Sequence, residues 1–207
     1  MSICEKGRSM IEMLGVLAIV GVLSVGGIAG YSKAMAKFKM NTLLSQVSEL
    51  TMNIRSLYMS QGNYAGMSER VVIDAGVVPN GITVRGSSEL VHILNGTIKF
   101  FESKAEDNTP KAFEMYITGL SNLSCVNFAT MDWGQDPASG FQALFVGTGD
   151  ITSPMMYDIV SVEDSEPDNG IYTTGVHEYS LPLSVYNASI QCACSENDCV
   201  VGLKYFL

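Results

Sequence analysis

A run of twenty residues, Met13 to Ser32, carries no charged side chain (MLGVLAIVGVLSVGGIAGYS). At about 1.5 Å per residue, a helix of that length reaches about 30 Å, the thickness of a bilayer's hydrocarbon core. The run therefore predicts a membrane-spanning helix. The competing expectation is a cleaved secretory signal peptide. Such a peptide has a shorter apolar core, a small-residue cleavage site and a polar start to the mature chain. Here the apolar run passes directly into Lys33, Lys37 and Lys39 on a continuing helical pattern. Glu12 stands at its N-terminal edge, where a carboxylate is costly in lipid unless it is paired. The run also holds Gly15, Gly21, Gly26, Gly27 and Gly30. Gly26 and Gly30 form a GxxxG pair, which lets another helix approach closely. Each glycine costs about 1 kcal/mol of helix stability relative to alanine, so tight packing and local melting are written into the same segment.

Helical periodicity continues past the apolar run. Phe38, Leu43, Leu44, Val47, Leu50, Ile54, Leu57 and Tyr58 recur at three- and four-residue spacing, with Lys37, Asn41, Ser45, Glu49 and Asn53 largely elsewhere on the wheel. No proline interrupts Arg8 to Gln61, and Gly62-Asn63 supplies a stop. The pattern predicts one helix of about 54 residues, about 80 Å long. Its front is apolar all round, and its rear is amphipathic and suited to lie along a globular domain.

The residues ahead of the run carry a resemblance. Gly7-Arg8-Ser9-Met10-Ile11-Glu12, followed by an uncharged run in this register, resembles the type III signal of type IV pilins and pseudopilins. The resemblance implies that a prepilin peptidase cuts between Gly7 and Arg8 and that the new amino terminus is methylated. It places Glu12 at the fifth mature position, where the family's carboxylate pairs with the amino terminus of the neighbouring subunit. The first mature residue would be Arg8, where the family usually carries an apolar residue. The implied organisation is a leader over 1–7, a long helix over 8–62 and a globular head over 63–207. Within the helix, 8–32 is the membrane or filament-core part and 33–62 the amphipathic part.

The head is long enough for one compact domain with its own core. Ser68 to Gly76 reads as a short helix with Ser68 as N-cap. Ile82–Arg85 reads as a short strand. Leu90–Leu94 and Thr97–Phe101 flank Asn95-Gly96, a strong hairpin signal. Lys111–Thr118 alternates Phe113, Met115 and Ile117 against Glu114 and Tyr116, which predicts a half-buried strand. Ser121–Met131 reads as a helix carrying Cys125 and Phe128, and Phe141–Val146 as a strand. Residues 147–180 are rich in Gly, Asp and Ser and are left unassigned. Leu181, Val185, Ala188 and Cys192 share one helical face, and Cys199–Phe206 closes the chain as a strand. Three pieces resemble the type IVb pilin head of conjugative thin-pilus and toxin-coregulated pilins: Ala75-Gly-Val-Val-Pro79, Ile117-Thr-Gly-Leu up to Cys125, and Leu181-Pro up to Cys192 before a last strand. The expected fold is α+β, a long N-terminal helical spine packed on an antiparallel sheet.

Of five cysteines, Cys4 lies in the expected leader. Cys125, Cys192, Cys194 and Cys199 remain in a head expected outside the cytoplasm, where two disulfides are the default. Three connectivities are open. A Cys192–Cys194 link closes a very short ring and is discounted. Cys194 and Cys199 bracket a turn composition and suit a hairpin link. The family's long-range head disulfide implies Cys125–Cys192, so 125–192 with 194–199 is expected, and 125–194 with 192–199 is the alternative. A metal site built from Cys192, Cys194, Cys199 and His177 has the wrong spacing for zinc.

Charge narrows the function classes. The chain has a net charge of −9, and no Lys or Arg falls between Lys111 and Lys204, where twelve acids do. No phosphate-tracking surface is expected from that half, and hence no nucleic-acid partner. The two histidines, His92 and His177, belong to no nucleophile signature, and GxGxxG, Walker and HExxH motifs are missing. His92 sits in a strand-like apolar run and is expected to be structural. Trp133 is expected in the core or a subunit contact. The acidic stretch Glu163 to Gly170 is expected to be a solvated turn, with a Ca²⁺ loop as the alternative. No enzyme, cofactor or metal is expected.

The resemblance therefore implies a type IV pilus subunit, held in the inner membrane with its head outside and then drawn into a homo-oligomeric filament, or a minor subunit among other pilins. Its partners would be the prepilin peptidase and the inner-membrane assembly machinery, and its setting surface adhesion or a secretion system. A type II secretion pseudopilin and an uncleaved single-pass anchored binding protein are the alternatives.

Overall fold

A computed structural model describes residues 10–104, 109–134, 139–154, 171–173, 181–195 and 197–207. The chain divides into two compact units, residues 1–41 and 42–207.

Helix α1 runs from Met10 to Tyr58 without a break. It stops three residues before the expected end because the chain turns at once, with the Gln61 amide on the Tyr58 carbonyl and Gly62 in the left-handed region (φ 68°). In the first unit, the described residues up to Lys33 are exposed all round. The segment is long and apolar enough to cross a membrane, with a mean hydropathy of 2.2.

In the second unit α1 is amphipathic. Leu43, Val47, Leu50 and Ile54 are fully buried, as the three- and four-residue spacing requires. Asn53 donates to the Val77 carbonyl and Gln46 to that of Asn80, which pins the loop after α2 (Glu69–Asp74) onto the helix. Arg55 donates to the Ser139 carbonyl.

The head is a seven-stranded antiparallel sheet in the order β1-β2-β3-β4-β7-β5-β6. Its strands are β1 Thr83–Arg85, β2 Glu89–Val91, β3 Thr97–Ser103, β4 Ala112–Leu120, β5 Phe141–Thr148, β6 Ile171–Thr173 and β7 Cys199–Phe206. The last strand is inserted in the middle, pairing with both β4 and β5. Along β4 and β7 the side chains alternate between two buried faces. Phe113 stacks on Tyr205 (centroids 5.7 Å) and reaches Tyr64 (4.9 Å), which packs on Tyr58 at the end of α1 (5.2 Å). On the opposite face Tyr116 meets Phe101 and Phe145 edge-on, at 5.9 and 5.8 Å.

Three local expectations are corrected. β4 is buried on both faces rather than half-buried, since its polar positions are covered too: Glu114 and Tyr116 are both 0% exposed. The β2–β3 connection is not a two-residue turn. Val91 pairs with Thr97, so His92–Gly96 forms the loop, closed by His92 N–H to the Gly96 carbonyl, with Asn95 at φ 68°. Gly96 is required there because a Cβ would lie 1.9 Å from the Thr118 carbonyl oxygen. The late helix, α4, starts at Val185, capped by Ser184 accepting from Asn187 N–H, so Val185 points outward at 69% exposure while Ala188 and Cys192 are buried. Helix α3 spans Asn122–Ala129, capped by Ser121.

Candidate functional site

Two groups of predicted site residues fall on described elements, one in each unit. In the first unit Glu12 occupies the opening turn of α1 and is exposed. Gly26 and Gly30 lie one turn apart on one face, with nothing among the described residues within 4 Å of a Cβ placed on either. The chain's own packing therefore does not demand glycine at these positions. Glu12 and Gly26 are about 21 Å apart along the helix axis, so the structure does not bring them together. Gly7, Arg8 and Cys4 lie outside the described residues, as do the acidic stretch 163–170 and His177.

In the second unit the four remaining cysteines meet where α3, α4 and β7 converge. Cys125 of α3 is bonded to Cys192 at the C-cap of α4, with Cα atoms 5.7 Å apart. Cys194 is bonded to Cys199, the first residue of β7, with Cα atoms 5.4 Å apart. The long bridge spans 67 residues, and a loop of that size contributes about 4 kcal/mol by restricting the unfolded chain. The sulfurs of Cys125, Cys194 and Cys199 all lie within 4.8 Å of one another, so the two bridges abut.

Other polar features serve packing. His92 is buried, with Nδ1 accepting from the Leu94 amide (3.2 Å) and Nε2 against the Thr118 carbonyl (2.9 Å). These partners select the Nε2-protonated tautomer. Burial lowers its pKa, opposed by the Thr118 carbonyl. Trp133 is buried and donates to the Phe128 carbonyl (2.9 Å), with the two rings stacked. A shallow depression lined by Leu94, Asn95, Gly119, Ser121, Ser124 and Asn197 contains no carboxylate, histidine or thiol. The sequence reading missed a buried ion pair, Lys204 on β7 directly opposite Glu114 on β4 with Nζ and Oε1 4.0 Å apart. Tyr116 donates to the other Glu114 oxygen (2.5 Å). The signal was available: the only Lys after Lys111 falls inside the chain's last apolar strand.

The bundlin family model matches residues 33–207, most of the chain. The chain belongs to the bundlin family. It is a type IVb pilin. The major structural subunit of the bundle-forming pilus from Escherichia coli O127:H6 (strain E2348/69 / EPEC) is 27% identical over 149 residues, covering 72% of this chain and 76% of that protein. The toxin coregulated pilin of Vibrio cholerae is 24% identical over 130 residues, 61% of this chain and 57% of that one. Two solved structures share the fold. A type IV b pilin from Salmonella typhi has a TM-score of 0.53 at 16% identity, covering 81% of this chain and 99% of its own. A type IV pilin from Vibrio cholerae El Tor biotype has a TM-score of 0.52 at 15% identity, with coverages of 80% and 98%. As a bundlin-family pilin the chain is a structural subunit, not an enzyme.

Proposed function

We propose that this chain is a repeating subunit of a type IVb pilus, processed between Gly7 and Arg8 and assembled into a homo-oligomeric filament through the front of α1. The family match over residues 33–207 carries the reading. The first unit supports it physically. Leu14, Leu17, Val22, Leu23 and Val25 are each more than 60% exposed, spread around the helix. A helix apolar on every side must be covered by lipid or by other helices. Before assembly the inner membrane covers it, with the head outside the cytoplasm. In the filament, copies of the same helix do, packed closely at Gly26 and Gly30.

Glu12 sets the register of that exchange. In lipid or a dry helical core, an isolated carboxylate is costly. The methylated α-amine of Arg8 on the neighbouring subunit is a cation of the right charge. The prepilin peptidase generates that amine, and the inner-membrane machinery supplies the work of extraction. Glu12→Ala tests the assignment. The variant is expected to insert into the membrane and be cleaved normally yet yield no filaments. Filaments in normal number from Glu12→Ala would overturn the pairing.

A further inference from the structure

The two head disulfides are not independent staples. We propose that they form one thiol–disulfide exchange unit, in which opening the Cys194–Cys199 bridge transfers Cys125 from Cys192 to Cys194. Three observations carry this. The sulfurs of Cys125, Cys194 and Cys199 lie within 4.8 Å of one another, while that of Cys192 is outside the group. Cys125 Sγ is therefore within reach of both sulfurs of the second bridge, while the Cys192 sulfur is farther from at least one of them. The bridges also differ in access. Cys125 and Cys199 are 0% exposed and Cys192 1%, whereas Cys194, its sulfur buried, belongs to a half-buried residue among exposed Ala193, Ser195 and Asn197. Finally, Cys199 Sγ lies 3.6 Å from the Cys192 carbonyl oxygen, so the two residues left over are already neighbours.

The steps balance as follows. An external dithiol reduces Cys194–Cys199, giving two cysteine thiols and becoming a disulfide itself. Cys194, as thiolate, attacks Cys125 Sγ. The Cys125–Cys194 bond forms, the Cys125–Cys192 bond breaks, and the electron pair leaves on Cys192 Sγ, which takes up a proton. This exchange involves no net oxidation. A disulfide donor then removes two electrons and two protons from Cys192 and Cys199 and closes the second pairing. The tether on α3 thereby moves from the end of α4 to the turn that follows it. Thiolate attack makes the transfer faster as pH rises toward the thiol pKa.

The test uses the full-length chain in detergent micelles at mildly alkaline pH, with acid quenching, alkylation and peptide mapping. Limiting dithiothreitol on the wild-type chain is expected to yield a Cys125–Cys194 linked peptide, with alkylated Cys192 and Cys199. The Cys199→Ser chain, which starts with an unpaired Cys194 and needs no reductant, is expected to hold at least as much Cys125–Cys194 as Cys125–Cys192. Intact Cys125–Cys192 in both experiments, with alkylation in the head confined to Cys194 or to the Cys194 and Cys199 pair, would overturn the proposal.

Discussion

Gly202 on β7 lies directly opposite Tyr116 on β4, and a Cβ on Gly202 would stand 2.5 Å from the Tyr116 ring. The ring covers the glycine and is fully buried, held between Phe101 and Phe145. Overpacking a filled site of this kind costs about 1–3 kcal/mol. Gly202→Ala is therefore expected to lower stability by that amount in urea unfolding of the full-length chain. An unchanged midpoint would show that the ring has room to move.

The Glu114–Lys204 pair makes a two-sided prediction. Removing one partner takes the opposite charge away from a buried ion, at a cost of about 3–5 kcal/mol. Lys204→Met is expected to lose that much. Glu114→Gln combined with Lys204→Met, which leaves an acceptor for the Tyr116 hydroxyl, should recover most of it. The double-mutant cycle in chemical denaturation measures the coupling, and additive losses would contradict it.

His92 predicts a pH dependence. Its pKa is lowered in the folded head, mainly by burial, so below the ordinary value near 6.5 the unfolded chain binds more protons at this site. Stability is fully present above that value and declines as pH falls from about 7 toward 5. Protonation would also turn Nδ1, which accepts from Leu94, into a donor facing a donor. His92→Gln should flatten the melting-temperature curve over that window. An identical slope in both proteins would rule out His92 as its source.

Gly26 and Gly30 are predicted to separate folding from assembly. With nothing within 4 Å of either position, Gly26→Leu with Gly30→Leu is expected to leave the head's melting temperature unchanged while filament yield collapses. Undiminished filament yield would remove these glycines from the contact.

Much of this was legible because single residues announce their conformation. The uncharged run and its spacing marked α1. Ser68 and Gly76 bracketed α2, and the bounds of β7 could be read directly from Cys199 to Phe206. What was not legible came from tertiary placement. Glu114 looked solvent-facing by alternation, yet β4 lies inside the sheet with both faces covered. Asn95-Gly96 suggested a two-residue turn. The buried His92 ring and the Thr118 carbonyl instead shape a five-residue loop, a constraint supplied by a strand residue 26 positions away. Of the candidate site, the resemblance named Glu12 and the spacing named the glycines as candidates, but the abutting of the two disulfides depends on where β7 enters the sheet.

The central claim is that this chain polymerises. Electron microscopy of fibres sheared from the cell surface, labelled with an antibody against the head, tests it most directly. The expected result is label spaced along the whole length of thin filaments, lost in the Glu12→Ala strain. Surface material without labelled filaments, with the chain retained in the membrane fraction, would contradict it.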